Sequence, residues 1–206
     1  LSGLPVVPLK EVELLNAQPA AAERDCGIIS YDEKPGIQAI KNIVADLLPV
    51  PNKHPAIVRD QEYERRGTVS LLAAIDLHTG DIISLVKDRH RSKEFVEFLS
   101  KLDGIYPKSW KIKLVLDNHS AHISKETQKY LREKSDCFDF VFTPKHGSCL
   151  NLIEVFFSKL SRSLLRHIRV GSRQELIERT YRGIAEFNQE PVFFRWRYKM
   201  DEVAAC

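Results

Sequence analysis

Four absences limit what this 206-residue chain can be. No apolar run approaches the roughly 20 residues of a membrane-spanning helix; Val69 to Ile75 is among the longest. The amino terminus has no basic stretch leading into an apolar core, so no secretory leader is expected. No two of the four cysteines, Cys26, Cys137, Cys149 and Cys206, form a Cys-x-x-Cys pair. That excludes a zinc knuckle and suits a reduced, intracellular protein better than a disulfide framework. Charge of one sign is also missing: 31 Lys and Arg against 28 Asp and Glu leave +3, too little to argue for nucleic acid by itself. Solenoid-period repeats and low-complexity tracts are absent as well. What remains is ordinary for a globular protein, 43% hydrophobic and 29% charged, with length enough for a core that needs no staples.

The local patterns predict a specific order of elements. Leu9 to Asn16 reads as a short helix and Gln18 to Arg24 as a linker, so residues 1–26 are expected to lead into one domain over 27–206. Gly27 to Asp32 is β-branched and aromatic, a strand that Pro35-Gly36 should stop. Residues 34 to 66 carry Pro35, Pro49, Pro51 and Pro55; they read as a long connection with one helical turn near Ile40 to Leu47. Thr68 to Asp76 and Asp81 to Lys87 are strands, joined through His78-Thr79-Gly80 as a tight hairpin. Ser92 should cap a helix to about Leu102, with apolar residues at helical spacing. Lys111 to Asp117 reads as a buried strand, Ser124 caps a helix to about Lys134, and Asp139 to Thr143 is a short strand. Two helices close the pattern, Leu150 to Ile168 and Ser172 to Asn188, the second opened by Ser172 and Glu175 as a capping box. A strand hairpin followed by alternating helix and strand implies an α/β mixed five-stranded sheet with helices on both faces, the order of a ribonuclease-H-like fold.

Three acidic residues stand out against that order. Asp32 and Asp117 each end a mostly apolar strand, so both carboxylates reach the rim of a buried sheet. If the strands are neighbours, the two like charges repel, and a divalent cation between them removes the conflict. Glu154 borders the apolar stripe Leu150, Ile153, Phe157, Leu160 and Leu164, where a carboxylate needs a partner or a metal. Oxygen-only ligands suit Mg²⁺ or Mn²⁺, and three carboxylates around two such ions meet the needs of in-line phosphoryl transfer.

The blocks around these residues resemble a family. Tyr31-Asp32-Glu33-Lys34-Pro35-Gly36-Ile37-Gln38-Ala39 resembles the first catalytic block of insertion-sequence transposases in the mariner superfamily. Arg66-Gly67-Thr68, with the strand to Asp76 and Gly80, is similar to the next strand pair. Leu114 to His122 resembles the second block, Thr143 to Glu154 the third, and Phe187-Asn188 with Phe194-Arg195-Trp196 the carboxy-terminal signature. Three blocks in order, with 36 residues between Asp117 and Glu154, are specific together where each alone is weak. The resemblance implies an Asp-Asp-Glu transposase that excises an element by hydrolysis and inserts it by strand transfer. Asp32, Asp117 and Glu154 would be the catalytic metal ligands for two Mg²⁺ or Mn²⁺ ions. Asn118, His122 and Asn151 fall at accessory positions, orienting carboxylates or touching phosphates. The implied partner is double-stranded DNA, both element ends and target, engaged by a homodimer assembled on it; the expected place is the cytoplasm, on the nucleoid, with no membrane. In two respects the chain departs from the family: Cys149 stands where Trp is usual, and the roughly 26 residues before the first strand cannot hold the helix-turn-helix modules expected there. Recognition of element ends is thus expected to lie outside this polypeptide.

Blander readings compete at several positions. Taken singly, Asp32 or Asp117 is a solvated turn former; the joint placement with Glu154 reverses that. Glu33 and Lys34 read as a solvated surface pair, although Lys34 could reach a phosphate. His119 and His122 lack a further Cys or His at ligand spacing, and neither Ser120 nor Ser148 lies in a Gly-x-Ser-x-Gly elbow. From Val155 to Cys206 ten basic residues face six acidic ones. Arg162, Arg166, Arg169 and Arg173, three to four residues apart, could form one DNA-contacting stripe or a solvated face. Phe193, Phe194 and Trp196 read as core. Two other functions compete: a ribonuclease-H-like nuclease that does not join strands, which shares the carboxylate core so that only the block resemblance favours the transposase, and an inactive remnant that binds DNA or protein, against which the intact carboxylates argue.

Overall fold

The computed structural model describes residues 25–43, 63–134, 137–143 and 151–192. The expected helix at Leu9 to Asn16, the linker after it, Cys149 and the aromatic tail from Phe193 lie outside these residues. The described chain folds as β1 (Cys26–Asn42), β2 (Tyr63–Asp76), β3 (Ile82–Lys87), α1 (Ser92–Ile105), β4 (Lys111–Leu116), α2 (Lys125–Glu133), β5 (Phe138–Phe142), α3 (Ile153–Leu160) and α4 (Arg173–Gln189). A π-helical turn, Ser161–Leu165, follows α3 directly.

The strands make one five-stranded sheet in the order β3-β2-β1-β4-β5. The hairpin side is antiparallel, β1 to β2 and β2 to β3, and the crossover side is parallel, β1 to β4 and β4 to β5. β1 is therefore central, and strand alternation gives it two cores to feed. Ile28, Val69, Leu71, Ala73 and Ile75 pack against Ile153, Phe156, Phe157 and Leu160 of α3 and Leu176 and Ile184 of α4. On the other face Ile29, Tyr31, Leu72, Ala74 and Leu114 meet Phe95, Phe98, Leu99 and Leu102 of α1. These α1 residues recur at three- and four-residue spacing and are fully buried, each stabilising the fold by about 1.5–3 kcal/mol. The mixed sheet with helices on both faces is the expected architecture.

The differences lie at element ends, and each has a local cause. Pro35-Gly36 does not stop β1. Lys34 pairs with Leu71 and Ile37 with Val69, so β1 carries one extra residue there. A bulge needs no ladder N–H from Pro35, and Gly36 takes φ 70°. The extra residue also reverses the alternation, which returns Ile37 and Ala39 to the α3 face. Ile40 to Asn42, expected in a helical turn, are strand paired with Arg65 to Tyr63, and Ile43 is a bend; the rest of that turn, 44–47, lies outside the described residues. Arg91, not Ser92, is the cap of α1, and its backbone N–H donates to Glu94 Oε2 at 2.9 Å. The single helix expected over Leu150 to Ile168 is α3 plus the π turn. Ser161 and Ser163 hydroxyls donate back to the carbonyls of Phe157 and Lys159, loosening the regular ladder, and Arg166 N–H closes onto Ser161 O at 2.8 Å instead. Ser172 caps α4 by accepting from Glu175 N–H, but the Glu175 carboxylate accepts from Gly171 N–H rather than completing a box with Ser172.

The β2–β3 turn hangs on Asp76. Its Oδ1 accepts the N–H groups of His78 and Thr79, and its Oδ2 accepts the Tyr106 hydroxyl at 2.6 Å. A hydrogen bond to a carboxylate in a partly buried setting is worth about 1.5–3 kcal/mol. Tyr106→Phe is expected to lower unfolding stability by about that amount, read as a reduced urea midpoint; a midpoint equal to the native protein's would remove this bond from the account.

Candidate active site

The parallel register of β1 and β4 builds the centre of the site. The pairing runs to Ser30 opposite Val115. Two residues further along each chain stand Asp32, still in β1, and Asp117, the first residue past β4. The two carboxylates thus come from neighbouring strands at the same level.

Glu154 stands in the first turn of α3, and the start of α3 is fastened to β1. Asn151 Nδ2 donates to Tyr31 O at 2.8 Å, the Ser30 hydroxyl donates to Asn151 Oδ1, and Ile153 N–H donates to Ser30 Oγ at 3.1 Å. All three bonds are buried. Ser30 and Asp32 share one face of β1 by alternation, and Glu154 stands in the first turn of α3 on that face.

The ionisation of the three carboxylates registers their proximity. Burial pushes Asp32 up to about 7, and the charges of Glu33, Asp117 and Glu154 push the same way against the Glu33 N–H that donates to its Oδ1. Burial and the charge of Asp117 also raise Glu154. Asp117 alone is held below the carboxylate range, first by its hydrogen bond to His122 and despite partial burial. Neighbouring like charges, two of them raised, are what a bound cation would relieve, and an all-oxygen donor set fits a hard divalent ion.

The far side of the centre is a buried relay. Tyr31 and Glu33 alternate with Asp32, so they turn toward α1. The Tyr31 hydroxyl donates to Glu33 Oε1 at 2.8 Å. His122 Nε2 donates to the same oxygen at 3.1 Å, and His122 Nδ1 to Asp117 O at 2.9 Å, with Asp117 Oδ1 at 3.2 Å. Burial alone would depress His122, but its bonds to Asp117 and Glu33 outweigh that and lift it to about 9. The ring is therefore a cation at neutral pH and donates from both nitrogens. Glu33, whose side chain is 7% exposed, is no solvated flank of Asp32. His119 also approaches, so that Glu33, His119 and His122 offer ligand atoms within 4.8 Å of one another.

The remaining expected residues scatter more widely. Asn118 Nδ2 donates to Thr143 O at 3.1 Å, tying the end of β4 to the end of β5. Lys34 is half-buried on the Asp32 side, its ammonium 6.0 Å from the Phe157 ring centroid. The four arginines do not form one stripe, because the π turn and the turn after it break the helix between them. Arg162 and Arg166 are exposed. Arg169 donates to Asn42 Oδ1 and Ile168 O, and Arg173 pairs with Asp88 at 2.6 Å. Sequence reasoning missed Ser30, Tyr31 and Glu33. The signal was there in the two-residue period of β1, which puts Ser30 beside Asp32 and Tyr31 beside Glu33.

Comparison with known proteins gives a consistent picture. Residues 48–177 match the family described as DDE superfamily endonuclease. An insertion element IS630 uncharacterized 39 kDa protein from Shigella sonnei is 26% identical over 109 residues, 53% of this chain and 32% of the relative. The chain thus spans about a third of that curated relative. The Mos1 transposase paired-end complex with left transposon end superposes with a TM-score of 0.52 at 10% identity, over 92% of this chain and 63% of that one. The Mos1 transposase catalytic domain with raltegravir and Mg gives 0.52 at 12%, over 81% and 74%. A simian T-cell lymphotropic virus intasome, in complex with PP2A regulatory subunit B56 gamma, gives 0.51 at 11%, over 91% and 56%. At such identities the likeness is one of fold, and the fold is ribonuclease-H-like.

The raised Asp32 carboxyl makes stability depend on pH. In metal-free protein it keeps its proton to about 7, whereas an unfolded chain releases it near ~3.9. Between those values the folded state binds more protons than the unfolded, so this group lowers stability as pH rises. With EDTA present, the urea midpoint of Asp32→Asn relative to the native protein is expected to climb from about pH 4 to about pH 7 and then level. A difference independent of pH would contradict the buried, repelled state of Asp32.

Proposed function

The chain belongs to the DDE superfamily endonucleases, and from that membership we propose that it is the catalytic domain of an insertion-sequence transposase, with Asp32, Asp117 and Glu154 as its metal-binding carboxylates. The observation that carries this reading is the placement of three acidic residues from three elements: Asp32 and Asp117 each stand two residues beyond the Ser30–Val115 rung of neighbouring parallel strands, and Glu154 stands in the first turn of α3, whose start is bonded to Ser30 and Tyr31. The domain runs over 27–206, with 1–26 leading into it.

In this reading the three carboxylates would hold two Mg²⁺ or Mn²⁺ ions, which would supply acidification of an attacking water or 3′-hydroxyl and offset charge on the leaving oxygen. The chain's own residues set up in-line attack. Ser30 and Asn151 fix the start of α3 so that Glu154 faces Asp32. His122 steadies Asp117. Lys34, Arg162 and Arg166 reach for the phosphate backbone, while Arg169 and Arg173 serve the fold. Water attacks the phosphodiester at the element end first, and its P–O3′ bond breaks to leave a 3′-hydroxyl and a 5′-phosphate; that hydroxyl then attacks a target phosphodiester and displaces the target's own 3′-oxygen, so no enzyme-linked intermediate is needed. The partner is double-stranded DNA, engaged by a homodimer in the cytoplasm on the nucleoid.

Two assays test this. Nicking of supercoiled plasmid in Mg²⁺ or Mn²⁺, followed by joining of a pre-cut element end to plasmid, should each fall on the order of 10³-fold in Asp32→Asn, Asp117→Asn and Glu154→Gln, the loss of several kcal/mol of metal-supplied stabilisation. Nicking without joining leaves a nuclease, and neither activity in the native protein leaves a binding remnant. Separately, the double substitution Arg162→Ala and Arg166→Ala should weaken duplex binding and flatten the dependence of log affinity on log salt by about 2. An unchanged slope would take both arginines off the DNA.

A further inference from the structure

We propose that Glu33 is a positioning residue for the phosphoryl-transfer centre: through the His122 ring it fixes where the Asp117 carboxylate points. The inference rests on the reading of Asp117 as a metal ligand.

Asp117 needs such a device. It stands one residue beyond the last rung of β4, and its side chain is 52% exposed. The sheet fixes its backbone but not its carboxylate. Two donors reach Oδ1, the His119 N–H at 3.1 Å and His122 Nδ1 at 3.2 Å. The His119 N–H is a local donor, two residues along the same turn. His122 is the donor anchored elsewhere.

That anchor is Glu33. The His122 side chain is fully buried, seated with its ring 4.6 Å from Phe95 and 5.6 Å from Tyr31 between centroids. Apolar walls fix where the ring sits but not which nitrogen faces which way, because an imidazole turned over about its long axis fills nearly the same volume. Glu33 Oε1 removes that freedom. It accepts Nε2–H, which leaves Nδ1–H directed at Asp117, shared between the main-chain O at 2.9 Å and the carboxylate Oδ1 at 3.2 Å. Glu33 is itself held by the Tyr31 hydroxyl, and Tyr31 is completely buried. The chain of contacts runs from a core tyrosine to an exposed metal ligand, with every internal member buried.

The placement explains why an acidic residue is put beside Asp32, where its charge makes ionisation of Asp32 harder. Alternation sends its side chain to the opposite face of β1, so it can serve the Asp117 side of the centre while Asp32 serves the Glu154 side. Partners that orient a metal ligand typically contribute roughly 10–100-fold to metal affinity.

The test is Mn²⁺ binding to the full chain by calorimetry, with metal-free melting and the NMR signals of the His122 ring N–H groups followed in parallel. Asp117→Asn is the control for the underlying reading. Glu33→Ala should weaken Mn²⁺ binding by roughly 10–100-fold and abolish the protected His122 Nε2–H signal. Glu33→Gln, whose amide oxygen still accepts from His122 and Tyr31, should restore most of the affinity and the signal. Should Glu33→Ala fail to fold, Tyr31→Phe, which removes only the hydroxyl that holds Glu33, decides the matter by a smaller loss of Mn²⁺ affinity without loss of the fold. Native affinity in Glu33→Ala, or in Tyr31→Phe where that variant decides, while Asp117→Asn binds weakly, overturns the proposal and leaves Asp117 a ligand. Glu33→Gln as weak as Glu33→Ala also overturns it, because Glu33 would then act through its own charge. If Asp117→Asn binds Mn²⁺ like the native protein, the reading of Asp117 falls, and the positioning role with it.

Discussion

Two carboxylates at the same level on neighbouring parallel strands repel each other, and the partial burial of Asp32 adds to the cost of charging both. The β1–β4 pairing forces Asp32 and Asp117 into this arrangement, and α3 adds a third carboxylate. The protein resolves the conflict unevenly. Asp117 keeps its charge because a buried imidazolium stands against it, while Asp32 and Glu154 are left raised. If the three carboxylates hold a cation, as proposed, one is already ionised and the other two would give up protons as the cation supplies the opposing positive charge.

The hydrogen bonds around this conflict are short-range and buried, which is why they hold geometry well. Ser30 and Asn151 set α3 against β1, and Tyr31, Glu33 and His122 set the turn after β4 against the same strand. β1 is thus the reference for all three carboxylates. The looser elements lie further out. The π turn after α3 redirects the chain toward α4, and with it the basic side chains that a continuous helix would have stacked in one row.

Much of this was legible in the sequence, and the limits are physical. The hairpin-then-crossover order predicted a mixed sheet because parallel strands need helices between them. Asp32, Asp117 and Glu154 stood out because acidic residues at the ends of apolar elements are conspicuous. The extent of β1 was not legible: Pro35-Gly36 is the usual signature of a stop, and only pairing with Leu71 and Val69 turns it into a bulge. The roles of Ser30 and Asn151 depend on partners about 120 residues away. Glu33 was misread because a charged residue beside another charged residue looks like a solvated pair until the strand's alternation is applied. The arginine spacing failed for a different reason, since it assumed an unbroken helix across Ser161 and Ser163.

The adjacency of Asp32 and Glu33 has a further consequence. Two consecutive residues on the central strand serve opposite faces, so a single inserted or deleted residue upstream within the β1–β4 pairing would exchange their roles. Glu33 would meet α3 and Asp32 would meet His122, although the composition of the chain would hardly change. Substitutions at either position can be judged by side-chain chemistry. Changes of length between Cys26 and Ser30 cannot, because there the strand acts as a ruler. The bulges near Pro35 and Gly67 lie on the other side of β1, in its pairing with β2, where one extra residue in each strand compensates the other, so length there can be balanced within the strand pair without shifting the β1–β4 register.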